Sequence, residues 1–265
     1  RQSRSRIGLV DLATVARGAD AIRERLAKLA GEGVRAAIID AVFDADLETI
    51  GQAALAHRLS VGASGFGLGL ARGLVASGQV RAGSAADNTT QREVGGAAAC
   101  LAGSCSQATL GQIAEAERVM PVLRLDPERI IAGSAEIGRA VHWAKERLTA
   151  GPVLIASSAT ADQVAAVQSR HGREAAGHAI EQAMASIAES LVQAGVRRLV
   201  VAGGETSGAA VDRLGLPGFL VGPEIAPGVP VLRAVGGRHG DMLLALKSGN
   251  FGAPAFFSDA LGLMR

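Results

Sequence analysis

The chain has 265 residues, 48% of them hydrophobic and 20% charged, and its 27 Lys and Arg against 25 Asp and Glu give a formal net charge of +2. That length predicts two domains, each able to bury its own core. The charge balance excludes a dedicated nucleic-acid surface, which needs clustered excess positive charge, and no apolar run reaches the ~20 residues of a membrane helix.

In chain order, short aliphatic runs alternate with helical stretches. Residues 7–12 read as a strand, and 14–31 as an amphipathic helix with Thr14 as its cap and Val15, Ala19, Ile22, Leu26 and Leu29 on one face. Residues 35–40 read as a strand ending at Asp40, 45–57 as a helix capped by Asp44, and 60–63 as a short strand before the turn ASGFGLG and a further helix. Such a β-α-β-α-β run predicts a parallel sheet. Periodicity fails near 76–93, where Gly, Ser, Asn and Thr accumulate, and a linker is expected over 81–95.

The alternation then restarts. Strands are expected at 96–102, 119–125, 152–157, 197–202, 219–221, 229–234 and 243–247, with helices at 107–118, 133–148, 172–194, 207–214 and 255–263. The fold class that follows is α/β: two domains, residues 1–80 and 96–265, each a mainly parallel sheet flanked by helices in Rossmann-like layers.

Three junctions in the second half share one design, an aliphatic strand running into a loop of Gly, Ser, Thr or Asn and then a helix. They are AGSCSQAT at 102–109, VAGGETSG at 201–208 and LKSGNFG at 246–252. In a parallel sheet such loops gather at the carboxyl edge, where ligands bind, and helix N-termini there offer unpaired N–H groups to an anion. None is a Walker loop or a GxGxxG fingerprint, which disfavours P-loop and NAD-type enzymes.

Glu205 within GGETSG reads as a carboxylate for Mg2+, a ribose hydroxyl or a loop N–H, or as a first-turn acid favoured by the helix dipole. Lys247 reads either as a cation near phosphates or as a strand-end charge reaching solvent. In the first half Asp40, Ser64 and Gly65 sit where a hydroxylated substrate could be held, although Asp40 is equally a plain turn residue. The histidines show no HxxxH or HExxH spacing, so no metal site is expected from them. Cys100 and Cys105 read as free thiols of a cytoplasmic protein, without CxxC spacing.

The segments LVVAGGETSGAAVDRLG, VGPEIAPGVPVL, LALKSGNFGAPAFF and LAGSCSQATLGQI resemble the four-carbon acid sugar kinase family. The earlier segments GLVDLATVARGADAI, IIDAVFDADLETI and VGASGFGLGLARGL resemble the later part of that family's first domain, with Ala63 standing where the family pattern has Gly. The resemblance implies ATP-dependent phosphorylation of threonate, erythronate or a 3-oxo-tetronate at the terminal hydroxyl, with ATP and Mg2+. It implies a sugar-acid-binding first domain and a nucleotide-binding second domain facing across a cleft. Nucleotide contacts carried over by motif are Ser104, Gly203, Gly204, Glu205, Thr206 and Gly249, with Ser106 a neighbour; Asp40, Ser64 and Gly65 would touch the sugar acid. The catalytic carboxylate is expected in a preceding segment that family members carry. A homodimer is expected, with no membrane partner. A non-catalytic nucleotide-binding regulator and a phosphosugar isomerase or aldolase-type enzyme stay open beside it.

Overall fold

The computed structural model describes residues 5–81 and 93–264, and the chain divides into two compact units, Arg1–Ala86 and Asp87–Arg265. Most of the stretch expected to be a linker lies outside the described residues.

Unit 1 runs β1 (Ile7–Val10), α1 (Leu12–Val15), α2 (Ala19–Gly31), β2 (Ala36–Ile39), α3 (Asp44–Ala54) and α4 (Ser64–Ala76). β1 and β2 pair in parallel, Ile7 opposite Ala36 and Val10 opposite Ile39. The helix expected over 14–31 is two helices, because Gly18 takes φ +104° between them, a conformation that suits only glycine. Asp11, not Thr14, caps the first: its carboxylate accepts from the Thr14 N–H at 2.9 Å. α3 begins at Asp44, and the Asp46 carboxylate accepts from the N–H groups of Val42 and Phe43. The strand expected at 60–63 does not form: the Phe66 ring folds back over Gly62, and Val61 is 92% exposed with no strand beside it among the described residues. Val10, Val15, Ile22, Leu29, Ile50 and Ala53 make the unit's core.

Unit 2 runs β3 (Ala97–Ala102), α5 (Gln107–Ala116), β4 (Val122–Arg124), α6 (Pro127–Ala132), α7 (Ala135–Lys145), β5 (Val153–Ala156), α8 (Ala161–His171), α9 (Arg173–Gln193), β6 (Val196–Ala202), α10 (Gly204–Leu214), β7 (Gly218–Ala226), β8 (Val229–Val235), β9 (Leu243–Lys247) and α11 (Phe256–Leu263). The sheet order is β4-β5-β3-β6-β9-β8-β7, parallel from β4 to β9 and antiparallel through β8 and β7. Successive strand residues point to opposite faces. Ala99, Leu101, Ile155 and Leu199 therefore meet one buried cluster that includes Leu191 of α9 and Ala140 of α7. Cys100, Leu154, Val200 and Ala245 meet the other, with Ile113 of α5 and Phe257 of α11. Each fully buried Leu or Ile contributes about 1.5–3 kcal/mol of hydrophobic stabilisation.

Two departures from the sequence expectation bear on the site. α10 starts at Gly204, not 207, because Gly203 at φ +135° turns the strand straight into the helix. α8 had no counterpart in the sequence reading. Its start is a reciprocal cap: the Thr160 hydroxyl accepts from the Gln163 N–H, and the Gln163 side chain accepts from the Thr160 N–H.

Candidate functional site

All parallel strands of unit 2 end at one edge, and the loops that follow are stitched together by backbone bonds. Gly103 N–H donates to Ala202 O (2.9 Å), Gly203 N–H to Lys247 O (2.8 Å) and Ser157 N–H to Ala102 O (2.8 Å). The loops approach more closely than a methyl group would allow. A Cβ on Gly249 would lie 2.0 Å from the Ser104 hydroxyl, and one on Gly103 would lie 2.1 Å from the Thr206 hydroxyl. The three glycine-rich junctions singled out in the sequence therefore touch one another.

They line a cavity of about 450 Å3, to which Ser104, Gly203, Gly204, Glu205, Thr206 and Gly249 all contribute. That size falls within the range usual for small-molecule sites, roughly 300–1,000 Å3. Gly203, Thr206 and Gly249 are buried, Ser104 is half-buried, and Gly204 and Glu205 are exposed. Glu205 stands in the first turn of α10, where the helix dipole favours a carboxylate. The first intrahelical bond of α10 runs from Ser207 N–H to Gly203 O (2.8 Å). The N–H groups of Gly204, Glu205 and Thr206 precede it and have no partner within the helix.

The 248–253 loop is anchored from behind. The Gly249 carbonyl accepts from the Ser106 hydroxyl (2.8 Å), the Thr109 hydroxyl (2.9 Å) and the Lys247 ammonium (3.0 Å). One turn along α5, the Gln112 amide donates to the carbonyls of Phe251, Gly252 and Ala253. Ser106 also caps α5, accepting from the Thr109 N–H. Lys247 fits neither sequence reading. It is only 2% exposed and does not line the cavity. Its ammonium lies 5.5 Å from the centre of the Phe256 ring, and burial pushes its pKa down to about 8. It braces the loop.

The cavity extends beyond the junctions. Ser157, Val164, Val167, Ala176 and Ile180 also line it, brought there by β5, α8 and α9. The strand expected at 152–157 and the helix expected at 172–194 both form, but sequence reasoning assigned neither to the site and missed α8. The T-x-x-Q cap at Thr160 and Gln163 was a local signal for α8.

In unit 1, Asp40 follows β2, half-buried, with its N–H donating to Val10 O (3.0 Å). Ser64 and Gly65 open α4, Ser64 exposed, and a Cβ on Gly65 would sit 3.0 Å from Leu47. Both cysteines are free thiols, Cys100 buried and Cys105 exposed. Among the described residues no group of His, Cys, Asp and Glu could by itself hold a metal ion, and no helix is long and apolar enough to cross a membrane.

A parallel sheet whose carboxyl edge gathers glycine-rich loops, an uncapped helix N-terminus and a cavity defines a nucleotide-binding class of α/β domain. Known proteins agree with that class. Residues 99–257 match the family described as a nucleotide-binding C-terminal domain, and residues 1–70 match the sugar-binding N-terminal domain. A 3-oxo-tetronate kinase of Methylobacterium radiotolerans is 63% identical over 264 residues, spanning 100% of this chain and 62% of that protein. One from Cupriavidus necator is 45% identical over 98% of this chain and 59% of its own length. A crystal structure of a Haemophilus influenzae protein superposes with a TM-score of 0.72 at 35% identity, over 100% of this chain and 62% of that one. The chain belongs to the four-carbon acid sugar kinase family, and it spans about 62% of the length of the Methylobacterium relative.

Proposed function

We propose that unit 2 binds ATP at the carboxyl edge of its sheet, and that the chain forms the nucleotide-holding part of a kinase that phosphorylates a four-carbon sugar acid at its terminal hydroxyl. The observation that carries this is the contact among the loops at Ser104, Gly203–Gly204 and Gly249 around one cavity. Phosphoryl transfer asks a protein mainly for positioning and charge neutralisation. Free N–H groups at the start of α10, with small residues that let phosphate oxygens reach them, supply both.

Glu205 is the carboxylate nearest those N–H groups along the chain. One carboxylate with phosphate oxygens is a usual Mg2+ environment, so Glu205 fits the ion that a kinase of this kind uses. When bound, Mg2+ neutralises charge on the transferring phosphoryl group. Ser104 and Gly249 flank the polyphosphate, and Thr206 packs the floor beneath it. Asp40, Ser64 and Gly65 of unit 1 belong to the same proposal as contacts for the sugar acid, threonate, erythronate or a 3-oxo-tetronate.

Calorimetric titration tests the assignment. The chain is expected to bind Mg·ATP. Thr206→Ala lowers affinity with and without metal, and Glu205→Gln lowers it only when Mg2+ is present. Wild-type affinity in both variants overturns the assignment. A regulator that binds ATP without turnover gives the same titrations, and release of ADP by the full-length protein with sugar acid separates it from a kinase.

A further inference from the structure

Resting on the nucleotide reading above, we infer that the ligand has a fixed direction along the sheet: its base lies beside β5 in a slot between α8 and α9, its phosphates lie over β6 and β9, and the Ser157 hydroxyl reads the nucleoside.

The strand order sets up the direction. β4-β5-β3-β6-β9 are neighbours, all parallel, and the cavity draws lining residues from the connection after each of them: Pro127, Ser157, Gly103, Gly203 and Gly249 in that spatial order. At a strand spacing of about 4.8 Å, four steps across the sheet cover about 19 Å, room for an extended nucleotide. Chemistry is sorted along this line. The β3, β6 and β9 end offers Gly, Ser, Thr and a helix N-terminus, which suit an anion. The β5 end offers Val164, Val167, Ala176 and Ile180 from the α8–α9 pair, with the amides of Gln163 and Gln168 and the Glu181 carboxylate on the same two helices. Apolar walls hold a flat, neutral heteroaromatic ring, with few polar groups to orient it.

Ser157 supplies an independent observation at the β5 end. It is 3% exposed, it lines the cavity, and its hydroxyl has no hydrogen-bond partner among the described residues. Its N–H is already used on Ala102 O. Ser158 also lacks a partner for its hydroxyl but does not line the cavity. A buried hydroxyl left unpaired is costly and rare. A ligand atom at the base or ribose would give the Ser157 hydroxyl the partner that the protein withholds.

The test uses the whole chain with ATP and with inorganic tripolyphosphate, which has the phosphates but no base. Wild-type protein is expected to bind both, in competition. Ser157→Ala is expected to weaken ATP and ADP by the same factor, roughly five- to tenfold, the scale of one hydrogen bond. Tripolyphosphate is left unchanged and the melting temperature of the ligand-free protein rises, because an unpaired buried hydroxyl is gone. Val164→Trp, at a half-buried position, fills the slot and weakens ATP by more than about tenfold, again sparing tripolyphosphate. If neither variant changes ATP affinity, or if tripolyphosphate weakens in step with ATP or fails to compete with it, the direction is wrong and ATP binding itself still stands. If wild-type protein binds no ATP, the nucleotide reading falls first.

Discussion

Both units bring backbone closer together than side chains permit, yet the closeness serves different ends. In unit 1 the close approach joins two helices: a Cβ on Gly51 would lie 2.2 Å from Gly69 O, and one on Gly69 would lie 2.1 Å from Leu47 O. In unit 2 it joins loops, Gly249 against Ser104 and Gly103 against Thr206, and the space they border is a cavity. Burial differs in the same sense. Unit 2 closes both faces of its sheet with helices, while unit 1 leaves Ile38 62% and Phe43 69% exposed beside a two-stranded sheet. Glycine is thus a packing device in one unit and a site-building device in the other, and composition alone does not tell the two apart.

The largest effect should come from breaking that symmetry with the same substitution in each unit. Gly249→Ala forces a methyl group into the Ser104 hydroxyl and is expected to lower ATP affinity by roughly 100-fold, equivalent to about 2.7 kcal/mol. Gly69→Ala is expected to destabilise unit 1 by about 1–3 kcal/mol, the usual cost of overpacking, and to leave ATP affinity unchanged. Denaturant melts and titration calorimetry on both variants check the pair. Equal loss of ATP binding in both would erase the distinction.

Much of unit 2 was legible in advance. The strand at 243–247 forms with those bounds, and the loops after β3 and β6 sit at one edge because alternating strands and helices leave a parallel sheet little other choice, whereas β9 reaches that edge through the antiparallel β7 and β8. The helix start at Gly204 was not legible, since it depends on Gly203 reaching φ +135°, and a sequence does not announce a dihedral angle. α8 escaped because its buried side is narrow, with Val167 its one buried residue, so the hydrophobic period is faint. In unit 1 the strand expected at 60–63 had the right residues, but a strand is made by its neighbour, and Val61 has none among the described residues. The brace on Gly249 was hidden for another reason: Ser106, Thr109 and Lys247 meet there from opposite ends of the unit's chain.

That brace gives the next effect in size. Lys247→Met keeps the length and the apolar stem and removes both the buried charge and one of the donors on Gly249 O. Loss of a buried charge relieves its desolvation, so stability is expected to change little. The loop loses a restraint, so ATP affinity is expected to fall by roughly tenfold, or about 1.4 kcal/mol. A variant that melts early while binding ATP normally would make Lys247 a core residue with no bearing on the site.

Charge placement sharpens the contrast between the units. Glu136 of unit 2 has a fully buried side chain, accepts from the Asp126 N–H (3.1 Å) and pairs with Arg139 and Arg129. Hydrogen bonding from Arg139, together with the Asp126 N–H and the nearby guanidinium charges, outweighs burial and holds its pKa down at about 2, from an ordinary 4.5. A carboxylate whose pKa is depressed by folding stabilises the fold above its unfolded pKa and loses that contribution as pH falls through the folded value. Wild-type protein is therefore expected to exceed Glu136→Gln in stability at neutral pH, with the gap closing between pH 4.5 and about 2. In unit 1, Glu48 and Arg72 join α3 to α4 with side chains 45% and 47% exposed. Glu48→Gln there should cost no more than about 0.2–1 kcal/mol, and less still in high salt, because solvent screens the pair. Urea melts of both variants across pH and salt measure the difference. A Glu48→Gln cost that matched the Glu136→Gln cost and ignored salt would mean that unit 1 buries its charges as unit 2 does.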